Sequence, residues 1–351
     1  MDFDIQIVHG VEEVGQAAWE KLGMGQPFAS YRWYRFGEAA MGDCIPVYII
    51  LSQGDEPVAR ATFWVIQNEP LPILWQPARW AMQAVLRRWP MFVCRSPLSS
   101  SSGLILPEPP LRGPALEVIK RTALEEAKRC KSSFLMFDFM EEEQIHWGDW
   151  TEPFTPYSIA DPGTRMEIKW SNFDQYLGSL SQKARKHYRQ YNREAERYGV
   201  RISRHDHVPD IASALALIQA VEQRHGSSPN PWTRSMLENI GLVGAVWLTA
   251  SVNDRLVGCE LILEDNGSQM VTAPGLAQEF RHVYFLLGYA DIQYAIETGM
   301  HTLRWGSGAY EAKRQAGFEL EKNNNIVFCG VSPLFDQVTI LLTKSLATVL
   351  T

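Results

Sequence analysis

Three stretches hold side chains whose types and spacing suit acid–base or anion chemistry. The first is VGCELILED, Val257 to Asp265, which reads as a strand. Strand alternation sets Cys259, Leu261 and Leu263 on one face and Gly258, Glu260 and Ile262 on the other. A carboxylate is costly to bury unpaired. Glu260 therefore reads either as a strand-edge ion pair or as a general base that takes a proton from an amine. The second stretch is LRWGSGAYEAKR. A strand ends at Trp305, the turn Gly306-Ser307-Gly308 follows, and Tyr310 and Lys313 stand one helical turn apart, with Arg314 next to them. Tyr310 suits protonation of a leaving group. Lys313 suits stabilisation of a phosphate or a developing oxyanion. The bland alternative is a surface turn with a solvated lysine. The third stretch runs from Ser268 to Gly299. It reads as a strand, a loop carrying Arg281 and Tyr284, and a helix from Leu286 whose free N–H groups suit a phosphate or acyl donor.

A fourth feature is electrostatic. The 351-residue chain has a net charge of −7, yet Ser181 to Arg204 holds eight basic and two acidic residues. Ala184, Tyr188, Tyr191, Ala195 and Tyr198 form one helical stripe, with Ser181 as N-cap and Gly199 just past the end. The outer face carries Lys186, Arg189, Arg193 and Arg197. This is either a platform for phosphates or a solvated face over packed tyrosines.

Much other chemistry has no signature. There is no P-loop, no nucleophile elbow and no H-E-x-x-H. Ser99 to Ser102 reads as a mobile serine run. His205-Asp206-His207 lacks partners at metal spacing, so no metal is expected. Five widely spaced cysteines without a C-x-x-C pair read as reduced thiols. The acidic N-terminus is unlike a signal peptide, and no apolar run is long enough to span a bilayer. The expectation is a soluble, cytoplasmic protein. At 46% hydrophobic and 21% charged the composition is globular and excludes disorder.

The elements that must position these residues show an internal repeat. Pro46 to Phe63 aligns without a gap on Ala245 to Ile262, and both read as strand, polar turn, strand. A helix from Ala115 to Lys131 and the strand SFLMFDF then echo the helix from Leu286 and the strand HTLRWG. The first copy has about 31 extra residues between hairpin and helix, within a stretch rich in Pro, Trp and Ser. Thr151 to Arg165 reads as a boundary that breaks regular structure. Further helices are expected over Ile211 to His225 and Pro333 to Leu350. The chain thus reads as two α/β modules, 1–160 with an insertion at 64–110, and 161–351.

The run S-x-K-A-R-K-x-x-R ending in R-Y-G-V, the strand-turn-strand, A-I-x-x-G before a strand ending in W-G, and Y-x-x-K-x-x-x-G-F together resemble the FemABX group of the GNAT superfamily, best over Phe173 to Val331. The resemblance implies two tandem GNAT-like domains, each a mixed, mainly antiparallel sheet flanked by helices. It implies amide formation, with an amine attacking an acyl or aminoacyl carbonyl. The second domain would hold the donor, with Arg281, Tyr284, Trp305, Ser307 and Arg314 around it. By the same resemblance Lys313 lies near the donor, and the acceptor groove lies between the domains. The superfamily's small-residue pyrophosphate loop is replaced here by RHVYFLLG. That favours aminoacyl-tRNA as co-substrate over acyl-CoA, with no bound cofactor. Partners would be tRNA and an amine-bearing peptide or small molecule. The alternatives are an acyl-CoA-dependent N-acyltransferase and a degenerate pair that binds without catalysis.

Overall fold

The computed structural model describes every residue except 1–2, 24, 71–75, 148–149, 151–152, 160 and 338–351. The described residues divide into two compact units, one within 1–69, 75–162 and 322–351, the other within 70–74 and 163–321. The first holds strands β1 (Asp4–Val8), β2 (Ile45–Gln53), β3 (Glu56–Ile66), β4 (Met91–Cys94), β5 (Leu104–Ile105), β6 (Phe134–Met140) and β7 (Thr155–Ser158). Its helices are α1 (Val11–Val14), α2 (Gln16–Gly23), α3 (Tyr31–Ala40), α4 (Gln76–Arg88) and α5 (Arg112–Arg129). The second unit holds β8 (Thr164–Glu167), β9 (Arg201–His205), β10 (Gly244–Val252), β11 (Arg255–Asp265), β12 (Ser268–Leu276), β13 (Thr302–Trp305) and β14 (Glu319–Leu320). Its helices are α6 (Phe173–Ser179), α7 (Gln182–Tyr198), α8 (Ile211–His225), α9 (Thr233–Glu238), α10 (Val283–Glu297) and α11 (Tyr310–Gln315). The last strand, β15 (Asn325–Gly330), returns to the first unit.

The first sheet runs β1-β2-β3-β4-β6-β15-β7, and the second runs β14-β8-β13-β12-β11-β10-β9. Both repeat one pattern. β2 and β3 are antiparallel, β4 is antiparallel to β3 and parallel to β6. β10, β11, β12 and β13 pair in the same senses. The repeat extends to an irregularity. Register slips between Leu51 and Ser52 in the first hairpin and between Ala250 and Ser251 in the second, at aligned positions. In the first core, Ala115, Leu116, Ile119 and Ala123 of α5 pack on Val47, Phe63 and Phe137. In the second, Val283, Leu286 and Leu287 of α10 cover Leu248, Val257 and Ile262.

Several expectations change. β15 pairs with β6 and β7, so the chain from Lys322 joins the first unit rather than closing the second half. Such pairing spans 167 to 196 residues of sequence and leaves no local signal. The stretch from Thr151 contains β7 and leads into β8. β7 ends its sheet, and an edge strand tolerates Pro156. The supposed insertion contains β4, which corresponds to β12 and is integral to the sheet. The serine run is packed rather than mobile. Ser99 is buried, the Ser101 carbonyl accepts from the Ser96 N–H at 2.9 Å, and the Ser100 carbonyl accepts from Asn323 Nδ2. Residues 333–337 are helical, and the rest of the expected final helix lies outside the described residues.

Candidate active site

The centre of the second sheet opens beside Trp305. β12 and β13 pair in parallel only from Ser268–Thr302 to Val271–Trp305. β12 continues to Leu276 while the other chain turns away through Gly306. On its opposite edge β12 carries a bulge. Cys259 pairs with Gly275 and Leu261 with Thr272, so Ala273 and Pro274 together oppose Glu260. Ala273 has φ 50°, and Pro274 has no N–H to give to the ladder. The result is a cleft of about 250 Å³ lined by Glu260, Thr272, Pro274, Tyr284, Trp305 and Lys313, among others.

Alternation on β11 is as the sequence indicated. Ile262 packs against α10, and a Cβ on Gly258 would stand 2.5 Å from Val283 Cγ1. Cys259 faces the other way, and a Cβ on Gly275 would lie 2.6 Å from its Sγ and 2.8 Å from Leu217 Cβ on α8. Glu260 therefore points under α10. It is no strand-edge ion pair, being only 4% exposed, with Oε1 buried and without a hydrogen-bond partner. Burial, and then the negative charge of Asp291, push its carboxyl well above the usual range.

Lys313 is buried as well, which removes the reading of a solvated lysine. Its Nζ donates to the Gly306 carbonyl and, at 3.2 Å, to the Ser307 carbonyl, so it ties α11 to the end of β13. Burial lowers its pKa to about 8, against the opposing influence of Glu321. Trp305 stacks on Phe318 with centroids 4.1 Å apart, and its Nε1 donates to Asp291 Oδ2 at 2.6 Å. Gln269 Nε2 donates to Asp291 Oδ1. Gly288 lets the indole sit against α10, since a Cβ there would lie 2.7 Å from its Cη2. Tyr284 lies in the first turn of α10, not in the preceding loop, because the helix starts at Val283. Burial, and then Glu260, raise its pKa to about 12.

Two further cavities adjoin this cleft. One, of about 540 Å³, lies among α7, α10 and α11 and is lined by Tyr191, Phe285, Tyr289 and Tyr310. It shares Tyr284, Gly288, Trp305 and Lys313 with the cleft. The other, of about 270 Å³, lies against α8 and holds Glu222, His225 and Asn230. It shares Thr272 and Pro274 with the cleft. The bulge thus stands between the cleft and a second pocket.

Of the residues singled out in the sequence, Glu260, Tyr284, Trp305, Ser307 and Lys313 line the cleft, and Tyr310 lines the larger cavity. Arg281 is exposed and lines none of these three cavities. Arg314 is also exposed, and pairs with Glu311 at 3.5 Å. Lys186, Arg189, Arg193 and Arg197 all face solvent on α7. The description of a solvated face over packed tyrosines fits Tyr188 and Tyr191, which pack inward. Tyr191 stacks on Phe285 at 4.6 Å and Tyr188 meets Tyr289 at 4.8 Å. Ser181 caps the helix through Ala184 N–H, and Gly199 ends it at φ 64°. His205 and His207 join no metal-binding cluster among the described residues. Sequence reasoning missed Asp291 and Gln269. The visible signal for Asp291 was a lone acid in the apolar run VYFLLGYADIQYAI.

The fold and this cleft define a class. Residues 182–314 match the family described as Acetyltransferase (GNAT) domain. No curated protein matches the chain. Among solved structures, FemX superposes with a TM-score of 0.61 at 13% identity, covering 95% of this chain and 99% of that one. A tandem GNAT protein from the clavulanic acid biosynthesis pathway gives 0.54 at 12% identity, covering 94% and 99%. L-PGS from Bacillus licheniformis gives 0.54 at 13% identity, covering 96% and 97%. The chain shares its fold with FemX and the tandem GNAT protein, and its second unit carries the GNAT domain match. No helix among the described residues is long and apolar enough to cross a membrane.

Proposed function

We propose that the protein is an amide-forming N-acyltransferase that moves an aminoacyl group from aminoacyl-tRNA to an amino group of a peptide or small molecule. The observation that carries the acyl-transfer reading is the cleft where β12 and β13 part, with a buried carboxyl and a buried lysine both in its lining. The amine nitrogen attacks the ester carbonyl, a C–N bond forms, and the C–O bond to the ribose breaks. Glu260 takes the proton from the attacking amine. Its carboxylate form is poorly solvated and is thus a stronger acceptor than an exposed glutamate. Lys313 offers positive charge to the developing oxyanion, and Tyr310 returns a proton to the leaving oxygen. Trp305, Tyr284 and Ser307 shape the donor side.

Two features support a tRNA donor. The exposed basic face of α7 offers cations to a phosphate backbone. The start of α10 carries Val283, Tyr284 and Phe285, whose bulk opposes the close backbone approach a pyrophosphate needs. Arg281 and Arg314, both exposed, are placed in this reading as outer contacts to the donor. The structures named FemX and L-PGS agree with this reading at the level of fold.

The test is donor depletion. Purified protein is incubated with candidate amines and either charged tRNA or acyl-CoA, and products are read by mass. The expected result is an amide product that needs intact tRNA and disappears after RNase treatment. Release of CoA thiol would replace the tRNA donor by acyl-CoA. No product with either donor would overturn the catalytic reading and leave a binding protein, and product undiminished in Lys313→Ala and Glu260→Gln would remove those two residues from the chemistry.

A further inference from the structure

We propose that Asp291 is a positioning residue for this site: a second buried carboxyl, held by Gln269 and Trp305, it fixes the indole that walls the cleft in which Glu260 lies. This rests on the reading of Glu260 as the base.

Asp291 is fully buried in the middle of α10. Both its oxygens accept hydrogen bonds, Oδ2 from Trp305 Nε1 at 2.6 Å and Oδ1 from Gln269 Nε2. Glu260 is equally enclosed, and its Oε1 has no partner. Two buried carboxyls that feel each other cannot both carry charge cheaply. The one with two donors keeps the charge and the one without keeps the proton. Asp291 is itself raised to about 7 by burial, with Trp305 and Gln269 pulling the other way. The other titratable groups around Glu260 do not reverse this. Tyr284 faces it from α10, Cys259 is its neighbour on β11, and Lys313 lines the same cleft from α11. Of the two carboxyls, Arg204 on β9 acts on Asp291, and its guanidinium is engaged by Glu297 at 2.7 Å.

The same contact orders the wall. Trp305 lies between Phe318, Gly288 and Asp291, and its ring borders both the cleft and the larger cavity. One side chain thus couples the proton affinity of the base to the shape of the site.

The experiment is a pH titration of carboxyl infrared difference bands on the full chain without substrate, beside pH profiles of kcat/KM. Among the buried carboxyl steps of wild type, which include that of Asp138, an upper one should be absent in Glu260→Gln and a lower one absent in Asp291→Asn. In Asp291→Asn the Glu260 step should remain, about one unit or more below its wild-type position. Its acidic limb of kcat/KM should move the same way. Trp305→Phe removes one donor from Asp291 and should raise the lower step, a shift of opposite sign. An upper step unmoved in Asp291→Asn overturns the proposal. If that variant does not fold, an unmoved lower step in Trp305→Phe overturns it instead. Shifted carboxyl steps in a chain that forms no product would refute the acyl-transfer reading while sustaining the coupling.

Discussion

Glu260 and Lys313 meet in one cleft with burial opposing the charged form of each, and pH separates their effects. The folded state holds the Glu260 proton more tightly than the unfolded chain does. Stability therefore falls as pH rises above the ordinary glutamate value of 4.5, by up to about 1.4 kcal/mol per unit across the window. Glu260→Gln should lack that slope. Urea titrations should show the variant gaining on wild type between pH 4 and pH 7, and a gap that stays constant would refute the buried-acid description. Lys313 has the reverse sense. Its folded form gives up a proton near pH 8, so its ammonium is lost there. If that charge holds the oxyanion, product formation should decline above about pH 8, and Lys313→Arg should abolish the decline even at a lower maximum rate. Glu260 and Lys313 were legible in the sequence because a lone acid in a strand and a lysine after a glycine turn are local patterns. Asp291 was not, since its partners Gln269 and Trp305 lie 22 and 14 residues away and are joined to it only by the fold.

At the scale of the element, α10 does two jobs through one glycine. Gly288 sits mid-helix, where glycine ordinarily costs about 1 kcal/mol relative to alanine. It is used because the Trp305 ring occupies the space of its Cβ. Gly288→Ala should push the indole off Phe318 and destabilise the chain by about 1–3 kcal/mol despite the better helix propensity. A denaturation midpoint equal to or above wild type would show that the ring can give way. Helix α7 divides differently, with Tyr188 and Tyr191 inward and Arg189, Arg193 and Arg197 outward. Arg189→Ala with Arg193→Ala should leave thermal stability within about 0.5 kcal/mol. The same pair should reduce the slope of log affinity for tRNA against log salt by up to about 2. An unchanged slope would remove the helix from tRNA binding. The hairpin repeat was legible because both alternation and turn residues are local, and even its register slip falls at aligned serines. β4 was hidden because four residues, MFVC, carry too little pattern to mark a strand.

The whole molecule has a topology that composition and periodicity could not disclose. Two tandem modules were readable, but not that the first is completed by β15 after the second has been traversed. Stopping the chain after Glu321 should therefore damage the unit that comes first in sequence. Hydrogen exchange should show β6 amides losing protection in such a truncation, while β11 and β12 keep theirs. Equal loss in both would mean that the two units fold as one.

The ends of the second unit lie together, with Glu321 N–H donating to the Gly163 carbonyl at 2.9 Å and β14 paired to β8. On a ribosome this closes a loop in time as well as in space. After β6 emerges, some 185 residues must be made before its neighbour exists, roughly 10 to 40 s at ordinary elongation rates. The second unit is born complete, and the unit translated earlier waits, with an open strand edge, until the chain has passed Gly330.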